Sequence, residues 1–199
     1  MRGLKNALFC CVLLIKNACP FVNAGWYLWY VSTPLDRILF ALTDNRCRNR
    51  VWGLLLDSIG CGPLDGGCYI FAKAIQRRLP GSTLCVVRGH ALRLSNPIDQ
   101  HYVVGLPDGH LLDADGLHTY DSFPAHYAAA ECVCVTEIIP ISSTEEEMAS
   151  VDRVGAHICP IAINSLSDLI GEIIAGGLPG FIKISNKASA ARAKKHHIR

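Results

Sequence analysis

An α+β fold is predicted by three observations. Up to Gly81 the apolar side chains recur at helical spacing, and from Ser82 onward the spacing switches to alternation. Pro107, Asp108 and Gly109 form a strong turn between two alternating runs, the pattern of a β-hairpin. The order is helices, a central helix, strands and then mixed material, which lacks the regular strand–helix alternation of a doubly wound parallel sheet.

The elements follow in order. "STPLDRILFALTDNR" (32–46) reads as a helix: Ser32 or Thr33 caps it, Pro34 suits the first turn, and Asp36 favours the positive end. Ile38, Leu39 and Leu42 make its stripe. A short apolar segment, "VWGLLLDSI" (51–59), leads into a glycine-rich corner. The next helix places Cys68, Phe71, Ala72, Ile75 and Leu79 on one face and Lys73, Gln76, Arg77 and Arg78 on the wet side. Pro80 and Gly81 stop it. "STLCVVRG" is a strand, "ALRL" a strand or its continuation, and "SNPID" a loop. "QHYVVGLPDGHLLDADG" (100–116) is the hairpin, "TYDSFPAHYAAAE" a helix and "CVCVTEIIPI" a strand. "STEEEMASVDRV" is a capped helix and "NSLSDLIGEIIAG" (164–176) a late amphipathic one.

Composition bounds the class. The chain has 199 residues, half of them hydrophobic and 18% charged, enough for a buried core and too apolar for a disordered chain. A net charge of +2 argues against a dedicated nucleic-acid binder, and the basic excess gathers in the C-terminal "KASAARAKKHHIR", which reads as a solvated end, with a nucleic-acid or anionic-membrane contact as the minority reading.

The N-terminus bears on compartment. "MRGLK" is a basic start, "ALFCCVLLI" an apolar run, and Val22 and Ala24 are small residues placed as in a secretory signal cleaved after Ala24. Lys16 and Asn17 interrupt that run, so the competing readings are a buried N-terminus in a cytoplasmic protein and, less in keeping with the polarity of 7–31, a membrane anchor. The chain then divides into a candidate signal peptide (1–24), a core (32–160), and an amphipathic helix with a basic tail (161–199). Of ten cysteines, cleavage would leave seven, three pairs and one over.

Two stretches carry chemistry. Cys68 stands at the first turn of its helix, straight after Gly66 and Gly67. The positive end of the helix dipole and the unpaired N–H groups there favour a thiolate and can hold an oxyanion, while the glycines let a substrate backbone approach. In the hairpin, a loop at 107–109 pairs 106 with 110, 103 with 113 and 101 with 115, so His101, Asp113 and Asp115 project from one face. A carboxylate can fix one imidazole nitrogen and leave the other basic. Direct pairing favours Asp115, and a diagonal contact or bulge favours Asp113.

"GGCYIFAKAIQRRLPG" followed by "QHYVVGLPDGHLLDADG" resembles the core of the papain-like and transglutaminase-like thiol enzymes, over residues 60–120. It is most similar there to bacterial and phage open reading frames with a GGC helix, a histidine strand and an LDADG-like ending. The resemblance implies a nucleophile helix packed on an antiparallel sheet, with Cys68 as nucleophile, His101 as base and Asp113 as orienting acid. It favours Asp113 because the family acid follows an apolar residue at the strand end, as in "LLDA". Papain-like peptidases also carry a glutamine ahead of the cysteine, whereas Gln76 and Gln100 both follow it here. The expected chemistry is attack on an amide or ester carbonyl of a protein, peptide or small amide substrate, through a thioester. The alternative is a catalytically silent binding module on the same scaffold.

Other sites are weaker. Cys61 competes as nucleophile or serves as a disulfide partner in an exported protein. Cys132, Cys134, His157 and Cys159 lack the ligand spacing of structural zinc sites, and "GGLPG" lacks the lysine of a phosphate loop, so no metal or cofactor is expected.

Overall fold

The computed structural model describes residues 33–91 and 96–176. The candidate signal sequence, the end of the "ALRL" segment and the basic tail lie outside the described residues. Among the described residues the architecture is mixed, with six helices and a five-stranded antiparallel sheet.

Three of the described helices precede the sheet. Helix α1 (Pro34–Thr43) buries Ile38, Leu39, Ala41 and Leu42. Asp44 then ends the first helix and starts the second: its carboxylate accepts from the backbone N–H groups of Arg46 and Cys47, both at 3.1 Å. Helix α2 (Asn45–Ile59) therefore joins what the sequence suggested were the tail of one helix and a separate apolar segment. Gly60, at φ 72°, closes it in the left-handed conformation. Helix α3 (Cys68–Gln76) is buried nearly all round, at Cys68, Tyr69, Ile70, Phe71, Ala72, Ala74 and Ile75. One stripe is not enough for it, because it lies between the sheet and the last helix.

The sheet has the order β4-β3-β2-β1-β5, formed by β1 (Thr83–Ala91), β2 (Ile98–Gly105), β3 (His110–Asp113), β4 (Gly116–Thr119) and β5 (Val133–Pro140). The predicted turn is present, with the Leu106 N–H donating to the His110 carbonyl at 2.8 Å and the pairs Val104↔Leu112 and Gly105↔Leu111 in register. Ile98 and Asp99, assigned to a loop from sequence, open β2 instead. The 101–115 pair does not form. The chain turns back after Asp113, pairing Asp113 with Gly116 and adding β4, which the sequence pattern did not disclose.

Helix α4 (Phe123–Glu131) covers one face of the sheet through Phe123 and Tyr127, against Cys85, Val87, Val103, Leu111 and Val133. The other face carries the larger core, built from Tyr102, Val104 and Leu112 against α1, α2, α3, α5 (Thr144–Val154) and α6 (Pro160–Ile174). Helix α6 starts at Pro160, four residues before the segment expected from sequence, and buries Ala162, Leu166, Ile170 and Ile173 in that same core. Ion pairs tie the elements together. Lys73 meets Glu147 at 2.7 Å, and buried Asp99 accepts from Arg88 at 2.8 Å and Arg153 at 2.6 Å.

Candidate active site

Cys68 is the first residue of α3, capped by Gly67, with the first helical hydrogen bond running from the Phe71 N–H to the Gly67 carbonyl at 3.0 Å. The N–H groups of Cys68, Tyr69 and Ile70 thus precede the helical ladder. The side chain is 2% exposed, and burial pushes the thiol above its ordinary range. Backbone hydrogen bonding from Tyr102, Tyr69 and Cys68 itself acts in the opposite direction. Cys68 and Tyr102 share the core on the α3 face of the sheet.

The glycine corner is held by its own chain. The Gly67 N–H donates to the Gly62 carbonyl at 3.0 Å, and a Cβ on Gly67 would stand 2.6 Å from that oxygen. Gly66 has φ 103°. Local packing alone thus requires small residues at both positions.

His101 is 2% exposed and projects toward α4, its ring stacked on Tyr127 at 5.3 Å between centroids. A bulge sets this direction. Val87 faces His101 and Arg88 faces Asp99, leaving Gln100 as the extra residue, so Asp99 and His101 turn to opposite faces. The Gln100 Nε2 is buried without a hydrogen-bond partner. Burial lowers the His101 pKa from 6.5 to about 4, against the attraction of Asp113 and Asp115.

Asp113, 2% exposed, faces the imidazole with 3.9 Å between its Oδ2 and the His101 Nε2, too far for a hydrogen bond. Its Oδ1 is committed to the turn, accepting from the N–H groups of Asp115 at 2.9 Å and Gly116 at 3.1 Å, with the His118 Nε2 at 3.3 Å. Burial opposes the charge on Asp113, but the His118 hydrogen bond, the two histidines and the Asp115 N–H outweigh it and lower the pKa. Asp115 points elsewhere, its Oδ2 3.6 Å from the His126 Nε2.

Sequence reasoning missed His118 and Tyr127. His118 lies on the unforeseen β4, opposite Leu111, and its only signal was the "DADG" turn that starts that strand. Tyr127 lies one helical turn after Phe123, a spacing that reads as ordinary packing.

The remaining cysteines are dispersed. Cys47, Cys61, Cys68, Cys85, Cys132, Cys134 and Cys159 are all free thiols. Cys132 caps α4 at φ 57° rather than sharing a strand with Cys134. Among the described residues, no group of three or more His, Cys, Asp or Glu side chains could hold a metal ion, and no helix is long and apolar enough to cross a membrane.

Comparison with family models, curated proteins and solved structures gives no match for this chain.

Proposed function

We propose that the chain is a cysteine-dependent hydrolase or acyltransferase with a papain-like or transglutaminase-like core, using Cys68 as nucleophile, His101 as base and Asp113 as the carboxylate that steadies the imidazole. The observation that carries this reading is the position of the thiol. It heads a helix packed on β2, the strand that carries His101, whose ring faces Asp113 across 3.9 Å.

The electrostatics favour a neutral resting pair. Burial raises the thiol and drops the imidazole to about 4, so at neutral pH the thiol keeps its proton and the ring is free to accept one. The proposed reaction requires the His101 ring to swing from its stack on Tyr127 to the α3 side of the sheet, where the imidazole takes the thiol proton as sulfur bonds to the carbonyl carbon. The N–H groups at the start of α3 stabilise the oxyanion, and the ionised Asp113 stabilises the imidazolium. The imidazolium then protonates the leaving amine or alkoxide, giving a thioester. Water or another acceptor, deprotonated by the same ring, releases the acyl group. With the sulfur 2% exposed, substrate entry requires an opening at the Gly66–Gly67 corner.

That burial also favours a second reading, a binding module in which Cys68 is a core thiol and His101 a packed ring. An activated aryl ester separates the two. The enzyme reading expects a burst of one equivalent of phenol and an acyl adduct on Cys68 by mass spectrometry, both lost in Cys68→Ala. Hydrolysis that survives Cys68→Ala, or no adduct on Cys68, would remove it.

A further inference from the structure

Cys61 and His157 form a thiol–imidazole pair on the glycine loop that precedes Cys68. The sulfur lies 3.5 Å from the His157 Nε2 although the residues are 96 positions apart. The approach is built rather than incidental. The His157 N–H donates to the Gly66 carbonyl at 3.3 Å, and its ring covers Gly66 so closely that a Cβ there would stand 3.3 Å from Cδ2. Both partners are thus fixed to the loop between α2 and α3. Cys61 is half-buried and His157 exposed, so a small reagent can reach the sulfur.

The surroundings select the chemistry. Cys61 follows Gly60, the cap at the carbonyl end of α2, where the helix dipole disfavours added negative charge. An acyl oxyanion would be poorly served at that end of a helix. Exchange between sulfurs needs a thiolate rather than an oxyanion pocket, and the His157 imidazole, 3.5 Å away, can take the proton and offset the helix end as an imidazolium. From this placement we propose that Cys61 and His157 form a surface site for exchange with low-molecular-weight disulfides of the glutathione type.

The step balances without a net oxidant. The His157 nitrogen takes the Cys61 proton, and the thiolate attacks one sulfur of the small disulfide. A mixed disulfide forms, the disulfide bond breaks, and the departing thiolate recovers the proton from the imidazolium. Cys132 and Cys134 provide internal controls, since both are exposed free thiols.

The test incubates the full chain with glutathione disulfide at neutral pH and follows mixed disulfides by fragment-ion mapping, with Cys61→Ser to confirm the assignment. The expected result is an adduct on Cys61 that forms about tenfold faster than on Cys132 or Cys134, although those thiols are more exposed. His157→Gln should bring Cys61 down to their rate, and His157→Asn, checked by an unchanged melting temperature, guards against loss of fold. Modification of Cys61 no faster than of Cys132 and Cys134, or a fast rate indifferent to both His157 variants, overturns the proposal.

Discussion

His101 and Asp113 face each other across 3.9 Å, from imidazole Nε2 to carboxylate Oδ2, with both side chains buried and no hydrogen bond between them. The turn that holds Asp113 accounts for the gap. Its Oδ1 serves the N–H groups of Asp115 and Gly116, which fixes the carboxylate at the end of β3. The imidazole is fixed from the other side by Tyr127. Asp113 is thereby favoured as the ionised carboxylate and His101 as the neutral ring.

A pH dependence follows from that neutral ring. Its pKa is about 4 in the folded chain and 6.5 when free, so between those values the unfolded chain binds a proton that the folded chain refuses. Stability then falls as pH drops through this window, by up to about 3 kcal/mol, and the contribution is constant below it. Urea unfolding at about pH 7 and about pH 4 should show that loss in the native chain. His101→Gln should lack it, while keeping the acid loss due to Asp99 and Asp113, whose lowered pKa values defer their contribution to lower pH.

The N–H groups around the Cys68 sulfur give a second prediction. Serine keeps an acceptor at that position, whereas valine fills similar space without one. Cys68→Val should cost about 1–3 kcal/mol more than Cys68→Ser in chemical denaturation, because serine leaves an acceptor beside the N–H groups that precede the helical ladder of α3 and valine does not. Equal stabilities would show that the sulfur is held by packing alone.

Gly67 tests the corner. A Cβ there would lie 2.6 Å from the Gly62 carbonyl oxygen and 3.2 Å from its carbon, both backbone atoms that cannot rotate aside. Gly67→Ala should therefore destabilise the chain by about 1–3 kcal/mol, read by the same denaturation. Gly53 lies inside α2, and a Cβ added to it would meet nothing within 4 Å. Gly53→Ala should accordingly be neutral or stabilising by about 1 kcal/mol.

The sequence disclosed what periodicity and turn chemistry encode. The Pro107–Gly109 hairpin, the helix from Cys68 and the strand from Thr83 all follow local rules, and each is present. Asp44 was obscure because one residue both ends α1 and caps α2, so a continuous helical pattern concealed a break. Strand β4 escaped because four residues with the burial order half-buried, exposed, half-buried, exposed carry almost no hydrophobic signal. The bulge at Gln100 was equally hidden, although it decides that Asp99 pairs with Arg88 and Arg153 while His101 turns to the other face. The contact between Cys61 and His157 depends on tertiary packing of distant loops, which no local pattern specifies.

The proposed chemistry rests most heavily on the reactivity of Cys68 through His101, and selective alkylation measures it. In a Cys61→Ser background, the native chain is treated with iodoacetamide at neutral pH and each thiol is followed by peptide mapping. Cys47 and Cys85, buried like Cys68, set the rate of an inert core thiol. Cys68 is expected to react at least about tenfold faster than those two, and His101→Gln to remove the difference. Labelling of Cys68 at the rate of Cys47 and Cys85, or a fast rate unchanged in His101→Gln, would contradict the assignment of nucleophile and base.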